Sequence, residues 1–160
     1  MKYIAILSVL VLIAALVGVG YMYMTANITV DTVSVVAMEA ANQPVHFAEL
    51  RQQLRLGAVL GTPFVQAQEL ADAENYQFLT YTVRLKNGTA VTADMVELQV
   101  TPMAGDILQI GSYHDVKLPA GQTVDATATI LTDKNMHAIR EVTITYYIWG
   151  VPFTMKTTVR

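Results

Sequence analysis

The side chains best suited to nucleophilic chemistry are Ser112 and His114, with Asp115 beside them. In an extended segment, positions two apart point to the same side, so the Ser112 hydroxyl and the His114 imidazole share a face. Asp115 points to the other face, whereas a triad needs an acid that orients the histidine. No Gly-x-Ser-x-Gly elbow is present, and a loop serine is the simpler reading. His46, His114 and His137 are scattered, with no i, i+4 pair and no His-Glu-x-x-His for zinc. Asp133, Asn135 and His137 alternate and would offer donors to a cation. The glycine and distal glutamate of an EF-hand loop are missing, so a turn between strands accounts for them. Cysteine is absent, which excludes disulfides, thiolate chemistry and Cys-based zinc sites. There is no phosphate loop and no dinucleotide fingerprint, so no cofactor is expected. Two of the 13 acids could converge as a glycosidase pair, but nothing in their spacing favours one. Asn27-Ile-Thr29 and Asn87-Gly-Thr89 fit the glycosylation sequon.

The one pattern that suggests contact is aromatic. If Val142, Ile144, Tyr146 and Ile148 face a core, Tyr147 and Trp149 share the outer face with Thr143 and Thr145. Trp and Tyr are favoured at binding surfaces, which makes this a candidate interaction face for a carbohydrate or a peptide. The competing readings are that a helix or the second sheet covers these rings, or that Trp149 rests at a membrane interface.

The elements that position these groups begin with an apolar run. No charge occurs from Tyr3 to Val30, and residues 4–23 are long enough to cross about 30 Å of hydrocarbon as a helix. Lys2 precedes the run, which predicts a cytoplasmic N-terminus and an exported remainder. Tyr21 and Tyr23 sit at the far end, where amphipathic rings favour headgroups. The expected organisation is an anchor over 1–26 and an extracytoplasmic domain over 27–160. A signal peptide cleaved near Val17–Gly20 competes, although the run exceeds the usual 7–15 residue apolar region.

Beyond the anchor, Ile28–Val36 reads as a strand whose alternation shifts phase between Val30 and Val33, which predicts a bulge or a change of sheet. Phe47, Leu50 and Leu54 fall on one face of a helix over 45–56, with Pro44 before it and Gly57 at its end. It should pack across an end or edge of a sheet. A short strand is expected near Phe64-Val65. From Gln77 the pattern has period two, with turn chemistry at Asn87-Gly88, Pro102–Gly105, Leu118–Gly121, Asp133–Asn135 and Gly150–Pro152. About seven strands with one short helix predict an immunoglobulin-like antiparallel β-sandwich.

Phe78-Leu-Thr-Tyr-Thr-Val-Arg-Leu-Lys-Asn87, followed by Leu118-Pro-Ala-Gly121 and Val124–Ile130, resembles two groups of small sandwich domains. These are the late-embryogenesis-abundant type 14 (water-stress) domain and the FxLYD-type bacterial domains. The resemblance spans about residues 76–131. The Asn-Pro-Asn frequent in the first group is replaced here by Asn87-Gly88. His137–Phe153 also gives the chain the look of small membrane-anchored proteins of gut Firmicutes. Neither likeness implies a catalytic residue.

The net charge is −3 and no Lys/Arg run occurs, so nucleic acid is not an expected partner. The expectation is a non-enzymatic module held in the cell membrane by residues 4–23. It would act as an interaction or accessory part of a bacterial envelope, with another envelope protein as its partner. Ligand binding through the aromatic face is the alternative, and a hydrolase assembled only in the fold is a third.

Overall fold

The computed structural model describes residues 2–24, 27–65, 69–111 and 116–159. Helix α1 (Lys2–Met24) is followed by an antiparallel sandwich of two sheets. Strands β1 (Ile28–Glu39), β2 (Gly61–Pro63), β3 (Tyr76–Asn87), β5 (Asp106–Ile110) and β7 (Thr123–Asp133) form one sheet, in the order β1-β3-β7-β5-β2. Strands β4 (Ala93–Val100), β6 (Val116–Leu118), β8 (Arg140–Ile148) and β9 (Val151–Val159) form the other, in the order β6-β4-β8-β9.

Period-two alternation produces this arrangement, because it turns every second side chain inward. Leu79, Tyr81, Val83 and Leu85 of β3 meet Val96, Leu98 and Val100 of β4 and Val142, Ile144 and Tyr146 of β8 in one buried cluster. Ala126 and Ala128 of β7 leave room for the larger rings opposite. The phase shift in β1 is a bulge. Val30 pairs with Leu85 and Thr32 with Arg84, which leaves Asp31 as the extra residue.

Helix α2 (Pro44–Leu56) forms where its pattern predicts. Proline is tolerated in the first turn because its missing N–H has no helical partner there. Gly57 ends the helix at φ +63, a left-handed position that glycine adopts without a Cβ clash. Phe47, Leu50 and Leu54 pack on the outer face of the five-stranded sheet, against Phe78, Leu108 and Leu131. This makes a second, smaller core near one end of that sheet.

Two strands differ from expectation. The strand near Phe64-Val65 is β2, displaced to Gly61–Pro63, where it pairs with β5. At Gly61 the Gln109 carbonyl approaches too closely for any Cβ. The segment before Pro119 is not only a turn, since Val116–Leu118 forms β6 on the edge of β4. Both strands are three residues long, too short to show a period.

One buried ion pair joins the sheets. Arg140 of β8 and Asp106 of β5 have fully buried side chains. Arg140 Nη2 donates to Asp106 Oδ1 at 2.8 Å and Nε to Oδ2 at 3.1 Å. Arg140 Nη1 donates to the carbonyls of His137 (2.7 Å) and Ile139 (2.9 Å). The Met103 amide donates to Asp106 Oδ2 at 2.8 Å. Burial pushes the Asp106 carboxyl up, but the hydrogen bonds from Arg140, Met103 and Thr132 outweigh it and hold the group below the usual carboxylate range. Nearby, burial pushes the Tyr81 phenol up to about 12.

Asp106→Asn or Arg140→Met is expected to cost about 3–5 kcal/mol, because each leaves a buried group without its partner. Denaturant unfolding of the detergent-solubilised chain measures this. The folded Asp106 pKa lies below the unfolded one. Its contribution is therefore complete above the unfolded value of about 3.9 and is lost as pH falls toward the folded value. Asp106→Asn should remove that part of the acid slope. An unchanged slope would show that other carboxylates govern acid stability.

Candidate membrane-facing site

Several strand ends meet at the end of the sandwich where the chain arrives from α1. Ile28 pairs with Asn87, and Lys86 with Thr123. Across the sandwich, Ala93 pairs with Leu118, Asp94 with Tyr147, and Ile148 with Val151. Asn87 links the two sets, since its Nδ2 donates to the carbonyls of Val91 (2.7 Å) and Leu118 (2.9 Å). The open edges β1 and β9 also lie against each other. The start of β1 and the β8–β9 turn therefore share one end of the domain.

That turn has two residues, Trp149 at φ +51 and Gly150 at φ +77. Positive φ at both positions is the geometry of a type I′ hairpin, which matches the twist of the flanking strands. Asn-Gly or Asp-Gly is the usual choice. A bulky residue held left-handed costs about 1–2 kcal/mol, because its Cβ approaches a carbonyl oxygen. Trp149 nevertheless holds this position, and it is 61% exposed.

The expected shared face is thus only partly formed. Tyr147 stays on the outer face with Thr143 and Thr145, half-buried between Asp94 and Pro152. Trp149 has left the strand for the turn. Helix α2 covers the other sheet and does not shield it. Trp149 is joined at this end by Val151, 46% exposed, and by Met95, 48% exposed. Met95 lies in the bulge of β4 at φ +50. Among the described residues, Met95 and Trp149 are the two non-glycines at positive φ.

The loops at this end, 88–92, 119–122 and 149–150, contain no charged residue. Exposed Lys86 and Lys117 flank them, and Lys117 Nζ lies 3.9 Å from Asp94 Oδ1. The opposite end carries Asp133, Lys134 and His137 in the β7–β8 connection.

The arriving helix is apolar on every side. Tyr3–Tyr21 is a 19-residue stretch of mean hydropathy 2.7, with none of its window buried against the domain. The hydroxyl of Ser8 donates to the Ile4 carbonyl at 2.9 Å, so this polar group is satisfied inside the helix. Lys2 and Tyr23 belong to α1, and the Tyr21 ring is exposed near its end. Asn27 is already fixed to the domain, its carbonyl accepting from the Gly88 amide at 2.9 Å. The three residue steps from Met24 to Asn27 reach at most about 11 Å.

The remaining candidates do not assemble. Ser112, His114 and Asp115 lie outside the described residues. Among those described, no group of three His, Asp or Glu is placed to hold a metal. His46 sits 5.3 Å from the Phe78 ring beside a pocket of about 170 Å³ lined by Val36, Met38 and Thr80. His137 Nδ1 lies 3.4 Å from Arg140 Nη1, in the structural pair. Arg84 pairs bidentately with Asp125 at 2.7 and 2.8 Å, and its hydrogen bond holds that carboxyl down. Lys156 does the same for Glu141. The sequon asparagine Asn87 is buried with its side-chain amide engaged, which marks it as a clasp. Sequence reasoning placed the last turn at Gly150–Pro152 and so missed the strain at Trp149. The signal was the Trp-Gly pair itself, set between two period-two runs.

Trp149→Asn should raise the unfolding free energy by about 1 kcal/mol, since asparagine tolerates the left-handed position. Denaturant unfolding of the solubilised chain tests this. A loss of stability would mean that the indole packs against the fold.

No protein-family model matches the sequence, and no curated protein is significantly similar to it. A solved structure with a similar chain path is the FixG-related protein from Vibrio parahaemolyticus. The match covers 81% of this chain and 95% of that one, at 11% identity and a TM-score of 0.34.

Proposed function

We propose that this chain is a single-pass membrane protein whose sandwich works outside the cytoplasm, as a non-enzymatic accessory module of a cell envelope. The observation that carries this reading is the state of α1. None of its apolar window is buried inside the domain, while the sandwich closes its own core without it. A helix apolar all round needs an apolar solvent, and a bilayer supplies one. Lys2 ahead of the span supports a cytoplasmic N-terminus. Without β2 and β6, the order β1-β3-β7-β5 over β4-β8-β9 follows the A-B-E-D over C-F-G order of immunoglobulin constant-type sheets. That supports a module of the kind used for protein contact, with another envelope protein as the partner.

The chain has no cysteine, so a single Gln99→Cys on exposed β4 reports topology. An impermeant maleimide should label it in intact cells. The chain should also resist alkaline extraction and keep its full mass of 17.5 kDa. Labelling only after lysis would reverse the orientation. Loss of the first two dozen residues with release of the domain would replace the anchor by a signal peptide. Co-purification from detergent-solubilised membranes then identifies the partner.

A further inference from the structure

We propose that the β8–β9 turn is a second membrane contact, in which Trp149 enters the interfacial layer of the bilayer that holds α1. The inference rests on the anchor reading and extends it from one attachment to two. Four observations converge on the same end of the domain.

The first is position. Trp149 lies at the end of the sandwich where α1 connects, and β9, which follows the turn, lies beside β1. The second is reach. Asn27 is tied to Gly88, and the short link to Met24 keeps this end within about 11 Å of the helix. An interfacial zone is about 5–8 Å thick on each side of the hydrocarbon, the same order as that reach, so this end of the domain stays beside the bilayer surface. The third is conformation. The turn geometry favours asparagine, yet a large exposed indole occupies it, and strain of this kind collects at functional positions. Met95 repeats the pattern, again exposed and left-handed. The fourth is charge. The loops around the tip are uncharged, which avoids desolvating ions, and at the rim Lys86 is exposed and suits a phosphate headgroup, while Lys117 lies 3.9 Å from Asp94 and offsets its charge.

Indole rings favour this layer because the ring is apolar and its N–H still meets water or lipid oxygens. With α1 fixing position and Trp149 fixing a second point, the domain loses freedom to rotate about the helix axis. One orientation of the sandwich is then presented to whatever binds it.

Trp149 is the single tryptophan of the chain, so its own fluorescence reads its surroundings. The full chain is reconstituted in vesicles of phosphatidylcholine and phosphatidylglycerol, with and without bromine on the acyl chains. The control is the W149Y/I139W variant, whose reporter lies at the opposite end of β8. Brominated lipid should quench the wild-type chain several-fold more than the control, and acrylamide should quench it several-fold less. Equal acrylamide quenching of both, with no effect of bromine, would overturn the contact while leaving the anchor intact. Shielding from acrylamide without quenching by bromine would also overturn it, in favour of a protein partner or a second copy at the tip. Failure of the chain to float with the vesicles would remove the anchor reading itself.

Discussion

The Asn87 side chain joins the two sheets at the end where α1 arrives. It sits at the last position of β3 with no exposed surface. Its Nδ2 donates both hydrogens, to Val91 and Leu118, while Oδ1 accepts from the amide and hydroxyl of Thr89. A buried amide is costly unless it is paired, and this one is paired at both ends. The clasp fixes loop 88–92 and the end of β6 together. Gly88, the next residue, then holds Asn27 through its amide. An added Cβ at Gly88 would meet the Asn27 carbonyl at 2.9 Å, so the close approach depends on glycine. The residue that leads into β1 is thus held to the domain through two adjacent residues of one turn.

Polar clamps recur where the two sheets must keep register. Gln109 reaches from β5 to β4, donating to the Leu98 carbonyl at 2.9 Å and accepting from the Val100 amide at 2.9 Å. Asp106 and Arg140 close the far end. Apolar packing between sheets is strong but non-directional, so a sheet could slide without a large loss of buried area. Hydrogen bonds across the gap are directional, and a slide would strand them in a dry core. The core thus contributes most of the stability, and these three clamps select one alignment. A chain without cysteine needs such a device more than a disulfide-bonded sandwich does.

Much of this fold was legible because burial in a sandwich is periodic. The faces Leu79–Leu85 and Val142–Ile148 were readable residue by residue, and so was a phase shift between Val30 and Val33, which pairing resolves as a bulge at Asp31. Helix α2 was readable from Phe47, Leu50, Leu54 and its Gly57 end. The Asp106–Arg140 pair was not, because period reports which face a residue takes and not what it meets across the sheet. Asp106 and Arg140 lie 34 positions apart, in different sheets. Trp149 was misplaced for a related reason. Alternation was carried one residue too far, when Trp-Gly already had the length of a two-residue hairpin. Strands β2 and β6 were obscured by brevity, and Ser112 with His114 falls outside what the structure describes.

The charge pattern around the sandwich gives the two ends different physical roles. The near end joins uncharged loops to exposed apolar side chains, a combination that water tolerates but does not reward. The outer face of the four-stranded sheet is largely polar, whereas that of the five-stranded sheet is apolar where α2 covers it. On the four-stranded sheet, Glu97, Thr145 and Thr154 share one rung, and Gln99, Thr143 and Lys156 the next. On the five-stranded sheet, Thr80 and Thr129 meet through their hydroxyls at 3.0 Å. What is confined to the near end is the left-handed backbone: Met95 and Trp149, the two non-glycines at positive φ among the described residues, both lie there with exposed side chains. In the anchored arrangement proposed above, the near end would meet lipid and the solvated faces would be left for contact with other molecules. Those faces carry threonine, glutamine and scattered charge. Such surfaces suit broad, wet contacts.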